Sequence, residues 1–273
     1  MIFDLKQYTG IGESCYVGRH ASGLEVVVIP KNHASSYALL GTRYGGIDTT
    51  FKTQKEEDFV TVPDGIAHFL EHKLFENEDG TDSLRLFTAL GARPNAYTSS
   101  DMTAYLFSTT DNMYKNLEIL LKFVYAPYFT NETVQKEIGI IGQEIRMGKD
   151  NPYRNMYYAL LESMYEKHPV RIEVAGSEES IARITPEILY RCHSTFYHPS
   201  NMTLCVCGGF SPEQVADLCD QYVPRSEKPI IENKFPEEKE GVVVKRVSQK
   251  MPVALPLFFA GLKLHDLSLS PMQ

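Results

Sequence analysis

The stretch Pro63-Asp-Gly-Ile-Ala-His68-Phe-Leu-Glu71-His72-Lys-Leu-Phe75 decides how this sequence reads. Ile66, Phe69, Leu70 and Leu74 recur at helical spacing, and Asp64 stands near the start, so the pattern predicts a helix over residues 63–75. His68 and His72 are one turn apart on one face, close enough for both rings to reach a single metal ion. Glu71, three residues after His68, falls beside them. Two neutral imidazoles on zinc need a third protein ligand and an open position for water, whose pKa the metal lowers to about 7. A neighbouring carboxylate that does not bind the metal can take the water's proton as general base. In a chain of this composition the pattern H-x-x-E-H arises by chance roughly 0.02 times. The bland alternative is a pair of solvated or core histidines on an amphipathic helix.

A third ligand should be a carboxylate or histidine on another rigid element. The helix predicted over residues 132–149 offers Glu137 and Glu144, seven residues and nearly two turns apart, hence on one face. Either can ligate, and spacing does not choose between them. Ile138, Ile140, Ile141 and Ile145 suggest that this helix is largely buried, where unpaired carboxylates are costly.

Outward from these two helices, strands are predicted at residues 24–30, 36–44, 95–99, 103–110 and 201–207. Further helices fall at 81–90, 113–125, 153–167, 186–197 and 212–222. Strand pairs in a row followed by blocks of helices favour an α+β fold with a mixed, largely antiparallel sheet packed against helices. Residues 224–241, rich in Pro and Glu, read as a linker after a domain of residues 1–223. Strands predicted at 242–247 and 253–259 then open a second domain, 242–273, that does not finish.

Composition narrows the classes. Of 273 residues, 43% are hydrophobic and 23% charged, which is ordinary globular composition and excludes collagen-like or disordered chains. A net charge of -8 argues against nucleic acid as a partner. No apolar run approaches the roughly 18 residues of a membrane span, and MIFDLKQYTG lacks the pattern of a signal sequence. The expectation is a cytoplasmic protein with no membrane partner. Cys15, Cys192, Cys205, Cys207 and Cys219 are odd in number and scattered, and read as reduced, buried thiols. Tyr105, Tyr153 and Tyr157 are assigned to packing, and His193 and His198 to structural or exposed positions.

Several stretches together resemble one family. H-x-x-E-H, followed after a long gap by the E-x6-E of Glu137 and Glu144, is similar to the inverted zinc motif of the pitrilysin–insulinase metallopeptidases, the inverzincins. Gly91-Ala-Arg-Pro-Asn-Ala-Tyr-Thr98, the run of residues 169–180 around Gly176, and Phe196-Tyr-His-Pro-Ser-Asn-Met202 match the same pattern. The resemblance covers about residues 15–225. It implies one Zn2+ per chain held by His68, His72 and Glu144, with Glu71 as general base and Glu137 as a supporting carboxylate at the catalytic centre. It also implies a peptide substrate added as a strand to a sheet edge at Asn95, Ala96, Tyr97 and Thr98. There small Ala96 admits a foreign backbone and Asn95 supplies an amide. From the residues alone, a tight turn between helix and strand explains that segment equally well.

Members of that family pair two homologous halves, the second contributing an Arg/Tyr pair that this chain lacks. The run Ala254-Leu-Pro-Leu-Phe-Phe-Ala-Gly261 faintly echoes residues 37–45, as a duplicated fold would. A second half supplied in cis or in trans is therefore expected, the chain being either a truncated product or one of two partners. The leading expectation is a zinc-dependent peptidase acting through zinc-activated water, incomplete as this chain. A non-catalytic structural or assembly subunit of the same fold is the rival, and a zinc-stabilised binding module the third reading.

Overall fold

The computed structural model describes residues 1–263. Strands β1 (Phe3–Tyr8), β2 (Glu13–Arg19), β3 (Glu25–Pro30) and β4 (Ser36–Thr42) open the chain. Two short strands follow, β5 (Thr50–Thr53) and β6 (Val60–Thr61). Helices α1 (Ile66–Lys73) and α2 (Ser83–Ala89) lead into the hairpin β7 (Arg93–Thr98) and β8 (Thr103–Thr109). After α3 (Met113–Val124), α4 (Asn131–Lys149), α5 (Pro152–Met164), α6 (Glu178–Ile181) and α7 (Pro186–Phe196) come β9 (Met202–Gly208), α8 (Pro212–Tyr222) and β10 (Ile231–Asn233).

Seven strands form one sheet in the order β1-β2-β3-β9-β4-β8-β7. Every neighbouring pair is antiparallel except β3 with β9, so the expected α+β fold with a largely antiparallel sheet is what the chain adopts. Alternation along the strands explains why. In β9, Met202, Leu204, Val206 and Gly208 are buried while the residues between them are half-buried, and β3 and β4 likewise bury Val26, Val28, Ala38 and Leu40. The buried rows join Phe69 and Leu70 of α1, Leu117, Leu120 and Leu121 of α3 and Ile141 and Ile145 of α4 in one core. Each fully buried aliphatic side chain there contributes about 1.5–3 kcal/mol.

Four sequence expectations change. The segments 242–247 and 253–259 are not strands. Both are irregular: in the first the Val244 N–H donates to Ser163 O of α5, beyond the second Lys263 Nζ donates to Met164 O, and no strand among the described residues offers them a ladder. Within the predicted linker, Ile231–Asn233 forms β10 and pairs with β5 in a three-stranded sheet β10-β5-β6. Tyr153 and Tyr157 are not packed inside: α5 buries only Met164, leaving these rings 61% and 46% exposed. The thiols are all free, but Cys205 and Cys207 are half-buried, because they point to the face of the sheet opposite the core. Strands β1 and β2, unpredicted from the sequence, extend the sheet at one end. The tail of the expected second domain, residues 264–273, lies outside the described residues.

Candidate metal centre

Backbone geometry sets where α1 starts. Gly65 caps it with φ 91°, in the left-handed region, and a Cβ there would meet Ala175 O at 2.5 Å. Gly176, φ 73°, approaches Asp64 O as closely. The two loops cross backbone to backbone, so side chains larger than hydrogen are excluded at both positions. From this start α1 turns Ile66, Phe69 and Leu70 into the core and His68 and His72 away from it, their ring centroids 4.6 Å apart.

Opposite runs α4, begun by a capping box between Thr130 and Thr133. Its exposed residues include Ile140, at 46%, so the helix is amphipathic rather than largely buried; Val134, Glu137, Ile141 and Ile145 form its inner face. Glu137 is buried and Glu144, two turns on, is half-exposed beside the histidines.

One donor atom each from His68, His72 and Glu144 lie within 4.8 Å of one another, the group of this kind found among the described residues. His68 Nε2 stands 3.6 Å from Glu144 Oε1, and His72 Nε2 stands 3.7 Å from Glu144 Oε2. These are longer than hydrogen bonds. Two donors at tetrahedral angles, each about 2.0–2.1 Å from zinc, are separated by roughly 3.3 Å, so the three residues fit such an ion with small adjustment. Burial, with the His72 ring and the Arg154 guanidinium adding to it, pushes the pKa of His68 down to about 3, which keeps the imidazole neutral as a ligand must be.

The supporting groups are specific. His72 Nδ1 donates to Glu137 Oε1 at 3.0 Å, which leaves Nε2 as the lone-pair nitrogen facing Glu144. Burial opposes charging this ring, but the Glu137 hydrogen bond and charge, with Glu71 and Glu144 behind them, leave its pKa raised. The Glu71 carboxyl is raised as well: burial outweighs the Thr98 hydroxyl and the His72 ring that favour its charge. Thr98 Oγ1 donates to Glu71 Oε2 at 2.6 Å, leaving Oε1 free of any hydrogen bond among the described residues.

Thr98 ends β7, an outer strand of the seven-stranded sheet. The Ser99 N–H donates to Met102 O and closes the hairpin, so Asn95 and Tyr97 bond to β8 while Ala96 and Thr98 turn their N–H and C=O to the open edge. Side chains alternate: Ala96 and Thr98 share the face of Glu71, whereas Asn95 and Tyr97 project from the other and are exposed. The structure thus brings His68, Glu71, His72, Glu137, Glu144, Ala96 and Thr98 together and leaves the Asn95 and Tyr97 side chains on the far face.

The sequence placed Thr98 only on the substrate edge, without its tie to Glu71, and did not point to Arg154 at all. Thr98 serves Glu71 directly, and Arg154, ion-paired with Glu173, stands near His68 from α5. Nothing in the local sequence connects either residue to α1. Tyr105 does pack inside, its hydroxyl 2.9 Å from that of Tyr197, and His193 is a buried structural residue donating to Val124 O at 2.8 Å.

Comparison with known proteins shows the family and the fold. The sequence model described as Insulinase (Peptidase family M16) matches residues 62–178, and that described as Peptidase M16 inactive domain matches residues 183–266. The chain belongs to the insulinase-like M16 family of peptidases. It is 46% identical over 261 residues to the uncharacterized zinc protease YmfH of Bacillus subtilis, a match covering 94% of this chain and 61% of that protein. The crystal structure described as that of a putative M16-like peptidase from Alicyclobacillus acidocaldarius aligns with TM-score 0.80 and 41% identity, covering 89% of this chain and 56% of that one. The periplasmic protease PqqL from Escherichia coli shares the fold with TM-score 0.68 at 24% identity, over 83% of this chain and 26% of that one. The chain therefore spans 61% of the length of YmfH, 56% of the Alicyclobacillus protein and about a quarter of PqqL.

Proposed function

We propose that this chain is the metal-binding half of a zinc peptidase that cleaves peptides or unfolded polypeptides, with residues 1–223 as its catalytic α+β domain. The observation carrying the reading is the convergence of His68 and His72 from α1 with Glu144 from α4, beside a carboxylate, Glu71, that is not part of the donor group. A bound zinc would supply Lewis-acid activation of water and of the peptide carbonyl.

The remaining roles belong to the chain. His68 presents a neutral nitrogen, and His72, oriented by Glu137, presents Nε2 as a ligand once the ring gives up the proton on that nitrogen. Thr98 holds Oε2 of Glu71, so Oε1 accepts the proton of the attacking water and later returns it to the leaving amine. The raised pKa of Glu71 makes it the better acceptor of the water's proton, which it holds between the two transfers. The outward N–H and C=O of Ala96 pair with a substrate backbone laid along β7 as an added strand, and the small Ala96 side chain leaves that approach open. Asn95 and Tyr97 contact substrate only from the far face.

In the same proposal, 224–241 links to a second homologous unit beginning at 242, which completes the peptidase in cis or in trans, and the setting is cytoplasmic. Among the described residues no helix is long and apolar enough to cross a membrane. The experiment pairs metal analysis with Glu71→Gln, assayed together with the complementary half. About one zinc per chain in both proteins, with cleavage lost in the variant, is expected. A chain that binds no zinc favours the non-catalytic subunit instead, and undiminished cleavage by the variant removes Glu71 as base.

A further inference from the structure

At the end of the sheet farthest from the metal centre, β1 is an outer strand of the described residues. It pairs with β2 on one side, Asp4 opposite Val17 and Lys6 opposite Cys15, and leaves its other edge without a strand. Such an edge presents a row of N–H and C=O groups ready to accept another chain. This one also carries exposed apolar side chains on both faces: Ile2 at 87% and Tyr8 at 53% on one, Leu5 at 49% on the other. A lone lysine on an edge strand ordinarily discourages pairing. Here Lys6 is accompanied by Asp4 on the same face, and neither forms an ion pair with any described residue.

Symmetry then selects a partner. Two antiparallel copies of one strand placed side by side are related by a two-fold axis perpendicular to the sheet, so residues of the same parity must face each other. Three registers centre on the middle of β1. Centred on Asp4, two carboxylates stand opposite; centred on Lys6, two ammonium groups do. Centred on Leu5, Asp4 of each copy meets Lys6 of the other, Leu5 meets Leu5, and Ile2 meets Tyr8. Opposite charges directly across a ladder stabilise it and like charges destabilise it, so only this register is complementary throughout.

We propose that β1 is a self-complementary docking edge through which two copies of this chain join their seven-stranded sheets, with Leu5 on the two-fold axis and two Asp4–Lys6 pairs flanking it. The contact is isologous and closes at two copies. It lies at the opposite end of the sheet from β7 and leaves that edge open.

Sedimentation of the 273-residue chain at tens of micromolar, in low salt, tests it. The chain is expected to dimerise. Asp4→Lys places lysines opposite each other twice, Lys6→Asp does the same with aspartates, and each is expected to weaken dimerisation about tenfold or more. The double variant Asp4→Lys/Lys6→Asp restores both pairs and is expected to dimerise within a few-fold of the parent. All three retain the parent's thermal unfolding, since both side chains are exposed. A monomeric parent overturns the proposal. So does a dimer indifferent to the single reversals, which would lie on another surface, or a double variant that stays monomeric.

Discussion

The hydroxyl of Thr98 donates to Oε2 of Glu71 at 2.6 Å, tying the outer strand β7 to the helix that carries both histidines. The strand proposed to receive substrate and the carboxylate proposed to move protons are thereby held in one geometry. Closure of the hairpin at Ser99 and Met102 fixes the height of Thr98 along the edge, and the left-handed start at Gly65 fixes that of Glu71 along α1.

Removing that tie should affect chemistry more than metal. In Thr98→Val the Glu71 carboxylate loses a charge-assisted hydrogen bond and its orientation, and such bonds contribute about 1.5–3 kcal/mol. Zinc content is expected to stay at the parental level while kcat of the completed peptidase falls roughly 10- to 100-fold. Comparing metal analysis with steady-state rates checks it, and zinc lost in step with activity contradicts it.

Glu137 acts on the metal through His72. Replacing it by Gln leaves Nδ1 a weaker, uncharged partner, and loss of such supporting groups lowers metal affinity about 10- to 100-fold. Competition against a chromogenic chelator measures the shift. Affinity equal to the parent's would show that His72 needs no help from Glu137.

Gly65→Ala should be among the costly single substitutions outside the core. The new Cβ meets both an unfavourable φ and the carbonyl of Ala175. A loss of roughly 2–4 kcal/mol in denaturant unfolding is expected, combining strain and displaced backbone. Gly91→Ala is the control: its φ is 80°, but nothing lies within 4 Å of a Cβ there, so strain alone remains and the loss is smaller.

Acid sensitivity has a buried source distant from the metal ligands. Burial lowers the pKa of His193 to about 4, against about 6.5 unfolded, while Nε2 donates to Val124 O. A folded pKa below the unfolded one means that protons favour the unfolded chain. The contribution is complete above pH 6.5 and fades as pH falls through 4. About 2–3 kcal/mol of stability is expected to disappear across that window from this residue. His193→Gln keeps an N–H donor without the titration, so its stability curve should be flatter between pH 6.5 and 4. An unchanged slope assigns the acid loss elsewhere.

Much of the fold was legible because its elements carry strong local signals. The β-branched, apolar runs in residues 24–30 and 201–207 announce strands, and Thr130, Asn151 and Thr185 cap α4, α5 and α7 at their first turns. Strands β1 and β2 escaped because Phe3–Tyr8 and Glu13–Arg19 do not alternate cleanly: at the end of the sheet one face is barely covered, so polar residues sit on both sides. The valine-rich runs after residue 241 carried the opposite error. Their β propensity is real, but propensity makes no ladder without a neighbouring strand.

The site divides along the same line. Helical periodicity alone placed His68, Glu71 and His72 together, since residues three and four apart must share a face once α1 forms. Choosing Glu144 as the residue beside both rings, assigning Glu137 to Nδ1 of His72, bringing Thr98 to Glu71 and setting Asn95 on the far face all depended on how α4 and β7 pack against α1. Those contacts join residues dozens of positions apart, and their geometry follows from two crossing glycine loops and a closed hairpin rather than from any spacing in the chain.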